Sequence, residues 1–358
     1  VKYLDEFRSP GVVKALAEKT KRLTGGHASY MEVCGTHTMA ISRSGLRDLL
    51  APEVELISGP GCPVCVTSDR DIDRAIAIAS LPDVIMTTFG DMMKVPGSEG
   101  SLADAQSRGA DVRVVYSPLD SLRVAAGTGC RVVFLGVGFE TTAPTVAATI
   151  LQAAAQNIEN FYALSLHKLV PPALRALASQ DDFRIDGFLL PGHVSAIIGS
   201  EVYNFLPEEF GIPCAIAGFE PADIMEAVYL LAAMEKPEVR TEYARAVRPG
   251  GNPKALEVMR RVFEPVDAEW RGLFTIPASG LALRPELSSM DAGTWEVELP
   301  EPKPRAACRC GDILLGRIKP LDCPLFAGAC TPDQPVGPCM VSSEGTCASY
   351  YLYSGEAD

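Results

Sequence analysis

Positive charge is the first thing this sequence lacks. Its 32 Lys and Arg stand against 45 Asp and Glu, giving a net charge of −13 with no basic run, which argues against a nucleic-acid surface. Long apolar runs are missing too. The stretch Ala143–Ala155 carries Thr and Gln and falls short of a membrane span. No GxGxxG opens a helix and no GxxxxGK[ST] occurs, so nucleotide binding has no support. No secretory signal is visible. With 47% hydrophobic and 22% charged residues, no segment reads as disordered. A cytoplasmic protein is expected, and 358 residues exceed what one core serves, so two or three domains are expected with it.

Cysteine is what the sequence does have. There are eleven: Cys34, Cys62 and Cys65 early, Cys130 and Cys214 isolated, and six between Cys308 and Cys347. In a large acidic chain without an export signal, that number points to metal or redox work rather than a disulfide framework. The stretch GPGCPVCVTSD (Gly59–Asp69) places Cys62 and Cys65 in a CxxC pair after the strand-like VELIS and before a helix expected over Asp71–Ser80. A helix start favours thiolate over thiol. The bland alternative is a tight turn holding two small buried residues, but Gly-Pro-Gly-Cys-Pro-x-Cys makes a poor core.

From Ser29 the chain repeats one grammar: a short apolar run, a polar or glycine-rich tip, then a helical stretch. An amphipathic helix over Val12–Leu23 precedes it, and further helices are expected at Met39–Leu50, Thr145–Gln156 and Asp223–Met234. Near-continuous apolar strands alternating with helices mean parallel sheets covered on both faces, with ligands bound beyond the strand tips. Those tips carry Cys34, His37, Cys62, Cys65, Asp91, Glu140, Thr141, His167, His193 and Glu220. The fold class is α/β, with two Rossmann-like domains over 1–120 and 121–240. Residues 241–358 form a connector and a cysteine-rich end of irregular and α-helical character. Gly-Phe-Glu after a strand, at Gly138–Glu140 and again at Gly218–Glu220, hints weakly at related halves.

Each candidate has a plain reading beside the chemical one. Cys34 in CGTHT has His37 three residues on, as a neighbouring cation or proton acceptor for a thiol whose pKa a strand-to-helix tip lowers. A buried cysteine beside a capping threonine is the alternative. Asp91 and Glu140 orient a neighbour or cap a helix, capping being the commoner role. His193 in PGHVS is a proton donor, a ligand or a core imidazole. His27 reads as surface, and Cys130 and Cys214 as inert core thiols. In the tail, Cys310-x12-Cys323-x6-Cys330-x16-Cys347, with Cys308 and Cys339 besides, suits a [4Fe–4S] cluster or zinc. The uneven spacing favours iron–sulfur, and spacing leaves open which four of the six bind.

The strings CGTHT, GPGCPVC, TTFGDM, GFETTAP, PGHVS, GFEP and CPLF…CTP…MVSSEG together resemble the HypD family, iron–sulfur assembly factors that help mature [NiFe] hydrogenases. The resemblance covers most of the chain. It implies two α/β domains and a C-terminal [4Fe–4S] domain around a cleft, with the cluster on Cys310, Cys323, Cys330 and Cys347. Cys339 is not expected as a ligand. It also implies a scaffold on which iron becomes a transient Fe(CN)2CO centre; such iron wants soft thiolate donors, and Cys34, alone or with a cysteine of the partner, is the one expected to hold it. Electrons would pass from the cluster through Cys62 and Cys65, while His37, His193, Asp91 and Glu140 shape or protonate the site. Implied partners are a small HypC-type chaperone, HypE-type and HypF-type cyanide-delivering proteins, and indirectly the hydrogenase large subunit. Such a protein is a redox-active assembly scaffold rather than a conventional turnover enzyme. An iron–sulfur thiol–disulfide oxidoreductase is the main alternative, and a zinc-stabilised binding module and a Cys34–His37 hydrolase rank behind it.

Overall fold

In a computed structural model, residues 6–301 and 307–353 are described. Eleven strands occur among them: β1 (Ala28–Glu32), β2 (Val54–Ser58), β3 (Val84–Thr88), β4 (Asp111–Val114), β5 (Arg131–Gly136), β6 (Phe161–Ser165), β7 (Gly187–Pro191), β8 (Cys214–Ala217), β9 (Val239–Thr241), β10 (Phe263–Glu269) and β11 (Thr275–Leu283). Nine of them build two parallel sheets, ordered β2-β1-β7-β8-β9 and β4-β3-β5-β6. The apolar runs are the reason. Every residue of β3 and β7 is buried, as strands sandwiched between helix layers must be.

The expected helices form, with shifted ends. The first spans Pro10–Thr24 and packs Val13 and Ala17 against Ile224, Met225 and Val228 of the helix Pro221–Ala232. Ser68 caps Asp69–Ala79 by accepting from the Asp71 amide at 3.1 Å. The helix expected over Met39–Leu50 is two, Gly35–Arg43 and Leu46–Leu50, because Gly45 takes a left-handed φ of 64° between them.

Chain order and sheet order part company. The five-stranded sheet takes residues 28–58 and 187–241, and the four-stranded sheet takes the intervening 84–165. The boundary expected between residues 120 and 121 therefore falls inside the helix Pro118–Ala126, between two strands of one sheet. The two Gly-Phe-Glu strings end up at tips of different sheets, after β5 and after β8.

The connector also differs from its expected irregular character. After the helix Pro253–Val262, β10 and β11 pair antiparallel, with a register shift between Val266 and Ala268. Its fully buried Trp270 donates from Nε1 to Ser279 Oγ at 2.8 Å. One apolar core runs from both sheets through Trp270 into the tail, reaching Cys310, Ile313, Cys339 and Cys347. The tail is irregular, with short helices Cys310–Leu314 and Thr346–Tyr353, the latter packed on Gly35–Arg43. Among the described residues, no helix is long and apolar enough to cross a membrane.

Candidate thiol and metal site

Cys34 lies two residues past the end of β1 and is the N-terminal flank of the helix Gly35–Arg43. Its amide donates to Glu32 Oε2 at 3.2 Å, and the other oxygen of that fully buried carboxyl accepts from Thr38 Oγ1 at 2.6 Å. The expected lowering of the thiol pKa does not occur. Burial pushes it up to about 12, the charges of Glu344 and Glu32 add to that, and the amides of His37 and Thr36 oppose it without winning. Nor is His37 a cation here. Its Nε2 sits 2.8 Å from the Gly218 carbonyl, its ring stacks on Phe219, and burial lowers its pKa to about 4. His37 ties the tip of β1 to the tip of β8.

Gly61 locks the second thiol loop against the first. Its carbonyl accepts from the Gly35 amide at 2.8 Å, and a Cβ on Gly61 would lie 2.1 Å from the Cys34 nitrogen. Around this junction opens a cleft of about 500 Å³ between the tips of the two sheets. Cys34, Thr36 and Pro63 line one wall; Gly138, Phe139, Thr141 and Thr142 line the other. His193 stands at its mouth, exposed, stacked on Phe219 at 3.7 Å between ring centres, with partial burial lowering its pKa. Glu344 enters from the tail and accepts from Thr36 Oγ1 at 2.6 Å. Sequence reasoning missed it: a single acid inside MVSSEG gives no periodicity to mark it.

Behind Gly61, Cys62 caps the turn Pro63–Val66 by accepting from the Cys65 amide at 3.3 Å. Burial pushes the Cys62 thiol well up. Burial also raises Cys65, but hydrogen bonds from the Cys339 and Cys62 thiols and the charge of Arg271 outweigh it and hold Cys65 at about 6. Arg271 itself is buried, donating to the Thr67 and Pro96 carbonyls at 2.6 and 3.1 Å and to Asp69 at 2.7 Å. The thiols then continue into the tail. Cys339 Sγ lies 2.7 Å from Cys310 Sγ, and all six tail cysteines line one small cavity with Ile313, Leu325 and Phe326.

A family model described as "HypD: Hydrogenase formation hypA family" matches residues 11–354. The chain belongs to the HypD family. The hydrogenase maturation factor HypD of Escherichia coli strain K12 is 45% identical over 371 residues, covering 99% of this chain and 98% of that protein. HypD2 of Bradyrhizobium diazoefficiens is 45% identical, covering 99% and 97%. HypD of Rhodobacter capsulatus is 42% identical, covering 99% of each.

The other expected site residues of this HypD-family chain are distributed unevenly. Cys34 and His193 share the cleft, and Cys62 and Cys65 lie directly behind it. Asp91 accepts from Ser342 Oγ at 2.9 Å and so anchors the tail segment that carries Cys339 and Glu344. Glu140 caps the helix Val170–Ala178, accepting from the Val170 amide at 3.0 Å, and faces a different cavity. His167 is buried, with Nδ1 3.1 Å from Ser165 Oγ. Among the described residues, no three His, Cys, Asp or Glu side chains are preset around a single metal position. The donor set in the tail nevertheless fits an iron–sulfur cluster: six thiols line one apolar hollow, in loops rich in glycine and proline.

Proposed function

We propose that this protein is a hydrogenase maturation factor on which the active-site iron of [NiFe] hydrogenase acquires one carbon monoxide and two cyanide ligands. The observation supporting this most directly is the run of thiols: tail cavity, Cys339, Cys65, Cys62, and then Gly61 against the Cys34 backbone. Cys34 holds the iron. Because burial keeps its thiol protonated, binding a cation there releases a proton. Soft thiolate suits a low-spin iron carrying strong-field ligands. His193 and Glu344 reach the same cleft and are placed to receive that proton and shape the space for the diatomic ligands.

A [4Fe–4S] cluster, when bound in the tail, supplies one-electron reducing equivalents. Cys62 and Cys65 lose two electrons and two protons on closing to a disulfide and regain them on reduction. Cys323, Cys330 and Cys347 keep their expected ligand role. Cys310 completes the expected four, and Cys339, in thiol contact with Cys310, Cys347 and Cys65, bridges the cluster loops to the CxxC pair. A small HypC-type chaperone, HypE-type and HypF-type proteins, and finally the hydrogenase large subunit are its partners, in the cytoplasm.

An iron–sulfur thiol–disulfide oxidoreductase is the second reading, and the thiol of Cys65 held at about 6 favours it. Infrared spectroscopy separates the two. Protein co-purified anaerobically with its small partner should carry cyanide and carbonyl stretches, and Cys34→Ala should abolish them. Bands that survive Cys34→Ala overturn the iron-holding role. No bands at all in the reduced wild type leaves the oxidoreductase.

A further inference from the structure

Two glycine–aromatic steps stand side by side at the tips of neighbouring strands, Gly192-His193 after β7 and Gly218-Phe219 after β8. Gly192 allows the two tips to approach, since a Cβ there would lie 2.3 Å from the Ala217 carbonyl oxygen. The start of the helix Gly192–Ile198 therefore rests on the β8 tip, and His193 stacks on Phe219 with 3.7 Å between ring centres and 23° between planes. His37 stacks on the same ring at 4.8 Å, and Tyr243 meets it edge-on at 6.0 Å. The backbone just before Phe219 is pinned at both of its polar groups. The Gly218 carbonyl accepts from His37 Nε2 at 2.8 Å, and the Gly218 amide donates to Glu242 Oε2 at 2.9 Å. Arg245 holds Glu242 in turn, at 2.7 Å. Phe219 is thus a fixed platform. His193 is exposed, and among the described residues no hydrogen bond holds its ring.

A histidine oriented by a hydrogen bond commits one ring nitrogen to it. One oriented by its face keeps both nitrogens, at the ring edge, for the occupant of the cleft. We infer that Phe219 is a positioning residue for the Cys34 cleft: it holds His193 at the mouth by the ring face and leaves both imidazole nitrogens free to take and pass on a proton. This rests on the reading of the cleft as the place where Cys34 releases a proton on binding iron. An aromatic pair favours its stacked arrangement by roughly two- to tenfold, enough to make one orientation of an exposed ring dominant.

The test is a proton–carbon NMR spectrum of the full-length protein labelled at its four histidine rings, with the His193 signal identified by its loss in His193→Gln. The ring current above the face of Phe219 should place that signal upfield of a free imidazole. Phe219→Leu should return it to the free position and lower hydrogenase maturation by roughly two- to tenfold, whereas Phe219→Tyr should retain both. In a His193→Gln background, Phe219→Leu should lower maturation no further. A wild-type His193 signal at the free position overturns the assignment whether or not the variants fold. An upfield shift that survives Phe219→Leu overturns it too, as does an equal loss of maturation from Phe219→Leu with and without His193. The scaffold reading fails separately: infrared bands surviving Cys34→Ala overturn that reading while the His193 shift, and the positioning with it, stands.

Discussion

Replacing Gly61 with alanine tests whether the two thiol-bearing tips form one unit. A Cβ there would lie 2.1 Å from the Cys34 nitrogen, 2.4 Å from the Val33 carbonyl carbon and 2.5 Å from the Cys34 Cα. All three are backbone atoms, with no side-chain rotation to relieve them. Relief requires the tips to separate by roughly one ångström, breaking the 2.8 Å hydrogen bond from the Gly35 amide to the Gly61 carbonyl. Overpacking of this kind costs about 3 kcal/mol, the upper end of its range, because neither partner can yield. Urea unfolding measures it, with Gly129→Ala as control. At Gly129 no atom lies within 4 Å of the added Cβ, and a change within about 0.5 kcal/mol is expected. A thiol-labelling time course supplies a second readout: Cys34, 9% exposed in the native fold, should react faster in Gly61→Ala. If Gly61→Ala matches Gly129→Ala in both stability and labelling, the interlocked junction is wrong.

Three further outcomes are expected. Burial raises the Glu140 carboxyl to about 7, so between the unfolded value near 4.5 and about 7 the unfolded chain has lost a proton that the fold retains. The stabilisation is complete below that window and lost across it as pH rises, amounting to about 3 kcal/mol. Unfolding curves for wild type and Glu140→Gln should therefore converge with falling pH, and parallel curves would refute the shift. Arg271→Leu removes a buried cation together with its bonds to Thr67, Asp69 and Pro96 and its charge beside Cys65, and should destabilise by about 2–4 kcal/mol while raising the Cys65 pKa; ultraviolet titration of the thiolate checks the second effect. Iron and acid-labile sulfide should be lost in Cys310→Ser and retained in Cys308→Ser. The opposite pattern would move the fourth ligand to Cys308.

Strand and helix types were legible because burial wrote them plainly: VIMTT and GFLLP are apolar throughout, and Ser68 before DRDID marks a helix start. The strand tips holding Cys34, Cys62, Cys65 and His193 followed from the same pattern. Pairing order was not legible, since an apolar strand does not encode which neighbour it takes, and so the return of β7 to β1 went unseen. The β10–β11 hairpin was hidden by Pro265 and Pro277, which a pairing edge tolerates but a sequence pattern penalises. The Cys34 pKa failed for a different reason. A helix start does lower a thiol, but only by a fraction of what full desolvation adds, and burial depth is a tertiary property.

The interleaving of the sheets also bears on how the protein is made. On the ribosome β1 and β2 emerge first, yet β1 cannot gain its other neighbour until residue 191 has been synthesised, on the order of ten seconds later. The contiguous four-stranded sheet is free to fold in that interval. The strand leading to Cys34 thus gains its second neighbour only after every strand of the opposite wall of the cleft has been synthesised.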